Sequence, residues 1–309
     1  MEYSSTKISW QTSICSRLIH NEKSPPPSMN PLNTPLGFCS NFLFVPGTRS
    51  ERFLKALDSG ASGVILDLED AVAEEDKETA RNTIRAAWSQ FSEEQKKRLV
   101  IRTNSPGSKF YAADLILAQE LQVACILIPK SESLDQINGA ALVLPNTAII
   151  PMIETAVGLH HLNEIANSNQ VLRLALGNLD LQADLGMICD AQETELQTAR
   201  YQIVLASRLA RITPPVDGVT PSTDDLPRIT DDAERAKRMG FGAKLCIHPK
   251  QVAIVQAAFM PTEEEIQWAQ RVIEADQSSK GGAVKLDGKM IDRPVVLLAK
   301  RTLAIAGKH

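Results

Sequence analysis

From Phe42 onward the chain repeats one pattern, a short apolar run followed by a longer amphipathic stretch. The runs lie at residues 42–46, 63–67, 99–103, 124–129, 148–153, 172–176, 216–220 and 244–247. Amphipathic stretches between them include 74–91, 112–121, 193–211 and 231–239. Runs rich in Val, Ile and Leu, each leading into a helical pattern, mark βαβ units whose parallel sheet is covered on both faces. Eight such units predict an α/β fold, a closed (β/α)8 TIM barrel over residues 39–260. A doubly wound open sheet is the competing architecture. Its dinucleotide-binding fingerprint is missing, since Gly240-Phe241-Gly242-Ala243-Lys244-Leu245 lacks the third glycine and enters a strand. No P-loop is present.

The pattern continues past the barrel. A helix is expected over 262–277, with Glu263, Glu264 and Glu265 in the first turn, where negative charge suits the helix dipole. Gly281-Gly282 leads into a hairpin-like segment, 284–291, turning near Asp287-Gly288. A last apolar helix is expected over 294–306, opened by Pro294, whose missing N–H costs nothing in a first turn. Residues 1–38 are rich in Ser, Asn and Pro and lack periodicity, so a poorly ordered tail is expected there. A mitochondrial transit peptide is the alternative: Lys7, Arg17 and Lys23 among many Ser and Thr favour it, and Glu2 and Glu22 oppose it. Met29 is an alternative start.

A net charge of -4 leaves no excess of Lys and Arg to neutralise phosphates, which argues against a nucleic-acid partner or a polybasic membrane role. No apolar run approaches the roughly 20 residues that span a bilayer. The five cysteines are odd in number and scattered, with no CxxC pair, so a reducing intracellular compartment is expected. The expected location is the cytoplasm, or the mitochondrial matrix if the tail is a transit peptide.

Barrel enzymes carry their chemistry at the C-terminal ends of the strands. Here those ends read Pro46-Gly47-Thr48-Arg49, Asp67-Leu68-Glu69-Asp70, Arg102-Thr103-Asn104, Pro129-Lys130, Glu154-Thr155, Gly177-Asn178-Leu179-Asp180, Asp217 and His248-Pro249. Every strand thus delivers a charged or metal-capable group to one rim. Converging carboxylates repel one another unless a cation sits among them, and all-oxygen donors point to Mg²⁺ or Mn²⁺ above zinc. Arginines and Lys130 would then take an anionic substrate. Each residue also has a plainer reading. Asp67, Glu69 or Asp70 could cap a helix or bind loop amides, Lys130 could be a solvated loop residue, and His248 could be structural.

Taken together, 42–49 (FLFVPGTR), 64–72 (VILDLEDAV), 101–104 (IRTN), Pro129-Lys130, 153–155 (IET), 177–181 (GNLDL), 247–249 (IHP) and 288–294 (GKMIDRP) closely resemble the citrate lyase β-subunit-like family of the HpcH/HpaI aldolase and citrate lyase group. The resemblance covers about residues 40–306. It implies a Mg²⁺-dependent carbon–carbon lyase acting on a 3-hydroxy-acyl thioester of CoA, of the malyl, citramalyl or citryl type. It implies Glu154 and Asp180 as metal ligands, and Arg102, Asp67 and Glu69 as catalytic groups, with Asp70 beside them. Arg49, Arg102, Lys130 and Asn104 are the expected substrate contacts. Asp292 is the expected general acid/base, carried by a C-terminal lid, 261–309, that packs on a neighbouring subunit of a homotrimer or hexamer. Leu179 departs from the pattern, since many relatives carry an acidic residue there. The alternatives are a citrate lyase β subunit acting on a citryl acyl-carrier protein, a class II aldolase on free hydroxy-keto acids, and a non-catalytic barrel subunit.

Overall fold

The computed structural model describes residues 34–278 and 284–307. The expectations placed on residues 1–33, including the transit peptide, and on Gly281-Gly282 lie outside them. Eight parallel strands close into a barrel in sequence order: β1 (Asn41–Pro46), β2 (Gly63–Asp67), β3 (Leu99–Arg102), β4 (Cys125–Ile128), β5 (Ala148–Ile153), β6 (Ala175–Leu176), β7 (Val216–Asp217) and β8 (Ala243–Cys246). β8 returns to β1 through Asn41↔Lys244, Phe42↔Leu245 and Leu43↔Cys246, which abolishes both sheet edges.

Because side chains alternate across a strand, each strand feeds two cores. Phe42, Ile65, Val100, Leu127, Ile150 and Leu245 fill the barrel interior. Leu43, Val64, Ile101, Ile126, Ile149 and Cys246 face outward onto the helices. The same period of two places the next inward position of β2, β3 and β5 at the rim. Ile65 is followed by Asp67, Val100 by Arg102 and Met152 by Glu154.

β6 and β7 are shorter than the expected runs 172–176 and 216–220, for two reasons visible in their hydrogen bonds. Pro214 and Pro215 offer no N–H to a ladder, and Asn178 takes both backbone groups of Val219. Residues 34–38, expected as the end of the tail, instead carry Leu36 into the barrel interior, where it is fully buried. Arg173 holds this lower end by donating to the carbonyls of Leu36, Cys39 and Pro214. Cys39, Cys125 and Cys246 are free and buried, and burial pushes the Cys39 and Cys246 thiols up to about 11 and about 12.

Beyond the barrel, the helix Glu263–Ser278 is followed by an antiparallel hairpin, β9 (Val284–Leu286) and β10 (Lys289–Ile291), and then by the helix Arg293–Ile305. Asp287 and Gly288 at the hairpin turn both have positive φ, 50° and 78°, which matches the strand twist of a two-residue turn. This segment has its own apolar cluster of Ala269, Val272, Ile291, Val296 and Ala299, distinct from the two barrel cores. Among the described residues, no helix is long and apolar enough to cross a membrane.

Candidate active site

The rim is organised around Arg102, 8% exposed at the end of β3. Its Nε and Nη2 donate to Asp67 Oδ1 and Oδ2, each at 2.6 Å, a bidentate pair between adjacent strands in register. Nη1 lies 3.0 Å from Glu69 Oε2 and 3.7 Å from Asp70 Oδ2. The guanidinium stands over the Phe44 ring, 4.7 Å from its centroid. Burial alone would weaken the cation, yet Asp67, then Glu69 and Asp70, hold it above its ordinary range. Asp67 also accepts from the backbone N–H groups of Glu69 and Ala71, at 2.9 and 3.1 Å. Its two oxygens therefore make four bonds, and this carboxylate orients Arg102 and the β2 loop.

Glu69 is the other buried carboxylate of that loop. Oε1 accepts from Lys130 Nζ at 2.9 Å, while Oε2 is buried without a hydrogen-bond partner, facing Arg102 as an ion pair. Burial lifts Glu69 above the usual carboxylate range, against the pull of Arg102 and Lys130 and with a push from Asp70.

Lys130 and Glu154 are joined by the fold. Lys130 has left-handed backbone, φ 46°, which turns its N–H onto Glu154 Oε1 at 2.7 Å and sends its ammonium to Glu69. Burial would lower the ammonium's pKa, but Glu69 and then Glu154 and Asp70 raise it. Asp180, on the helix Asn178–Leu185 and about half exposed, lies 4.0 Å from the same Nζ through Oδ1. Glu154 is 2% exposed, and its carboxyl is pushed up to about 8 by burial, then by Glu69 and Asp180. Such crowding of anions is what a bound cation relieves. A Cβ on Gly177 would fall 2.2 Å from Glu154 Oε2, so only glycine leaves that oxygen its space. Among the described residues, no three His, Cys, Asp or Glu converge as a closed metal cage. A buried carboxylate, Glu154, beside the half-exposed Asp180 suits Mg²⁺, which keeps several of its waters and takes one or two protein carboxylates.

The remaining rim residues divide. Asn104 is buried, with its backbone N–H and Nδ2 both donating to Asp114 Oδ2, at 2.7 and 2.6 Å. Arg49 is exposed beyond β1 and lies 3.8 Å from Glu51. His248 caps the helix Pro249–Phe259, its Nδ1 accepting from Lys250 N–H at 3.2 Å. Asp292 stands apart. It caps the helix Arg293–Ile305 through Val295 N–H and lines a cleft of about 340 Å³ with Ile291, Arg293 and Lys300. Among the described residues, no hydrogen bond or ion pair links it to the rim of its own barrel.

Sequence reasoning missed the supports. Lys77, buried, donates to the carbonyls of Leu68 and Glu69 at 2.8 and 2.7 Å and so shapes the β2 loop. Asp114, which anchors Asn104, is itself paired with Arg81 at 3.0 Å. A helix-interior aspartate and a first-turn lysine look like solvated surface until the partner strand is placed. Asn178, left without a role from the sequence, bridges β6 to the segment after β7.

Comparison with known proteins agrees with this geometry. The HpcH/HpaI aldolase/citrate lyase family matches residues 41–249. A citrate lyase subunit beta-like protein of Mycobacterium tuberculosis is 34% identical over 273 residues, covering 86% of this chain and 95% of that protein. A (3S)-malyl-CoA thioesterase of Cereibacter sphaeroides is 32% identical, covering 85% and 93%. Among solved structures, the CitE protein of M. tuberculosis in complex with magnesium, acetoacetate and coenzyme A superposes with a TM-score of 0.77 at 32% identity, covering 88% of this chain and all of that one. The chain belongs to the HpcH/HpaI aldolase/citrate lyase family of enzymes.

Proposed function

We propose that this protein is a Mg²⁺-dependent lyase that cleaves a 3-hydroxy-acyl-CoA of the malyl, citramalyl or citryl type to acetyl-CoA and a 2-keto acid. The observation that carries the reading is the meeting of two different devices on one barrel mouth. One is a carboxylate pair, buried Glu154 beside half-exposed Asp180; the other is an arginine, Arg102, aimed by a bidentate contact from below. The relative that binds magnesium, acetoacetate and coenzyme A supports the same assignment.

Glu154 and Asp180 would hold Mg²⁺, which when bound acts as a Lewis acid and template for the hydroxyl and carboxylate of the substrate. Glu69, raised in pKa and paired through Oε2 with Arg102, would accept the hydroxyl proton. As the C2–C3 bond breaks, Arg102 meets the negative charge that develops on the thioester oxygen, and Asp67 keeps the guanidinium from turning. Lys130, tied to Glu69 and close to Asp180, adds positive charge for an anionic substrate. Arg49, exposed beyond β1, extends that surface, whereas Asn104, turned onto Asp114, holds the end of β3. Protonation of the enolate carbon falls to Asp292 of a neighbouring subunit, reached by the separate C-terminal segment in a homotrimer or hexamer. Such an arrangement calls for the partner copy, since among the described residues no hydrogen bond or ion pair joins Asp292 to its own rim.

A second reading follows from the thioesterase relative. Hydrolysis of malyl-CoA yields malate and free CoA, whereas cleavage yields acetyl-CoA and glyoxylate. Purified protein is therefore incubated with (S)-citramalyl-CoA and with malyl-CoA, with Mg²⁺ and with EDTA, and the CoA species are separated. EDTA-sensitive acetyl-CoA supports the lyase. Free CoA without acetyl-CoA replaces it by the thioesterase, and no turnover on either substrate shifts the assignment to a β subunit that needs a citryl acyl-carrier protein.

A further inference from the structure

Two residues before Asp180 lies Asn178, a buried side chain for which the proposed chemistry has no use. It opens the helix Asn178–Leu185, whose N-cap Gly177 makes no side-chain capping bond, and it follows a strand of two residues. Leu181 packs the helix on the core and Asp184 accepts from Ala156 N–H at 2.6 Å, but neither ties its first turn, next to Asp180, to the barrel. Asn178 does more. Its Oδ1 accepts from Val219 N–H at 2.9 Å, and its Nδ2 donates to the Val219 carbonyl at 3.0 Å and to Glu193 Oε1 at 2.7 Å. A Cβ on Gly218 would meet Asn178 Oδ1 at 2.1 Å, so the glycine is what admits the amide.

Glu193 is buried and has left-handed backbone, φ 50°. Its carboxylate also accepts from Gln182 Nε2 at 3.3 Å, from Arg235 Nη2 at 2.9 Å and, closer still, from Arg200 Nη2. Arg200, wholly buried, donates through Nε to Asp217 at the end of β7, at 2.8 Å. Lys244 of β8 lies 3.5 Å from Asp217 Oδ2 and donates to the Gly218 carbonyl at 2.6 Å. This charged layer is rooted in β7 and β8. It reaches the Asp180 helix at Asn178 and Gln182, which stand one above the other at i and i+4.

We propose that Asn178 and Glu193 are positioning residues for Asp180, transmitting the rigidity of β7 and β8 to the helix that carries this rim carboxylate. The inference rests on reading Glu154 and Asp180 as the Mg²⁺ ligands. Partners that orient a ligating carboxylate contribute to metal affinity without touching the metal, and their loss costs roughly 10–100-fold. The plain alternative is a buried polar cluster that only stabilises the fold.

The test is calorimetric titration of MgCl₂ into the full-length protein, wild type and variants, beside thermal unfolding. Asn178→Ala is expected to raise the Kd for Mg²⁺ roughly 10–100-fold, and to raise the KM for Mg²⁺ while kcat recovers at saturating Mg²⁺. Glu193→Gln, which keeps the volume and an acceptor for Asn178, is expected to act in the same direction more weakly, and serves if the alanine variant does not fold. Arg173→Met, at the opposite mouth, should lower the melting temperature without moving the Kd. Wild-type affinity in Asn178→Ala, or in Glu193→Gln if only that variant folds, overturns the inference. So does a Kd shift in Arg173→Met as large as theirs. A wild-type chain that binds no Mg²⁺ overturns the functional reading, and this inference falls with it.

Discussion

Two arginines project into the same barrel, one at each mouth, and each stacks on a phenylalanine of β1. Arg102 lies over Phe44 at 4.7 Å, and Arg173 lies over Phe42 at 5.6 Å. Their partners differ. Arg102 faces three carboxylates and is held above its ordinary pKa range. Arg173 is held by backbone carbonyls, with no carboxylate partner among the described residues, and burial pulls it down to about 10. Carbonyls satisfy a guanidinium's hydrogen bonds without neutralising it, so the lower arginine stitches loops together. Carboxylates fix the upper one in charge and direction while Nη1 stays at the rim beside Glu69. On the proposed function, chemistry belongs to the mouth where arginine is balanced by acids and stability to the mouth where it is balanced by dipoles.

The comparison can be broken in order of expected effect. The largest is remote from both arginines. If the C-terminal segment supplies the acid, Asp292→Ala lowers kcat by about 10²–10⁴-fold and leaves the Mg²⁺ titration unchanged. Mixing Asp292→Ala with Arg102→Met protein should then restore part of the activity, because each copy lends the other its intact half; no recovery would place the acid within one chain. Next is Arg102→Met alone, expected to reduce kcat by about 10²–10³-fold, the loss seen for single oxyanion donors. It also leaves Asp67 buried without its cation, a loss of about 3–5 kcal/mol, so urea unfolding should show both penalties at once.

A smaller effect is one of pH. If Glu154 holds Mg²⁺, a proton on it competes with the metal, and its carboxyl is raised to about 8. Below that pH the acid form dominates, so Mg²⁺ affinity should weaken by up to about tenfold per unit as pH falls from 8 to 6, and level off above it. Calorimetry across that range checks the slope, and a flat profile would remove Glu154 from the metal site. The smallest effect should be Arg173→Met, which leaves the carbonyls of Leu36, Cys39 and Pro214 without their donor. Stability should fall by about 1–3 kcal/mol with kcat unaltered. A loss of activity there would erase the distinction between the two mouths.

Much of the rim could be read before any coordinates. Asp67, Arg102 and Glu154 stand at the ends of apolar runs, and a strand's period of two sends them inward with Ile65, Val100 and Met152. What each does once inside could not be read. Asp67 is a carboxylate on a loop in the sequence and an orienting clamp in the barrel, because it pairs with Arg102 across the β2–β3 register. Lys130 reads from the sequence as a cation for an anionic substrate, but its left-handed backbone and its place between Glu69 and Glu154 are set by the fold. The tail seemed to run to residue 38, yet Leu36 plugs the barrel floor.

The line between the two kinds of knowledge follows the range of the interactions. Apolar periodicity, proline at a helix start, and the Asp287-Gly288 turn act over a few residues, so the chain alone specifies strands, helices and the hairpin. The barrel's closure, the shortness of β6 and β7, and the partners of Arg102, Arg173 and Asn178 depend on groups tens of residues apart. Their meeting is set by strand register and by which buried donor finds which acceptor. Those pairings form only when closing the sheet has removed water as the competing partner, and that is a property of the folded molecule.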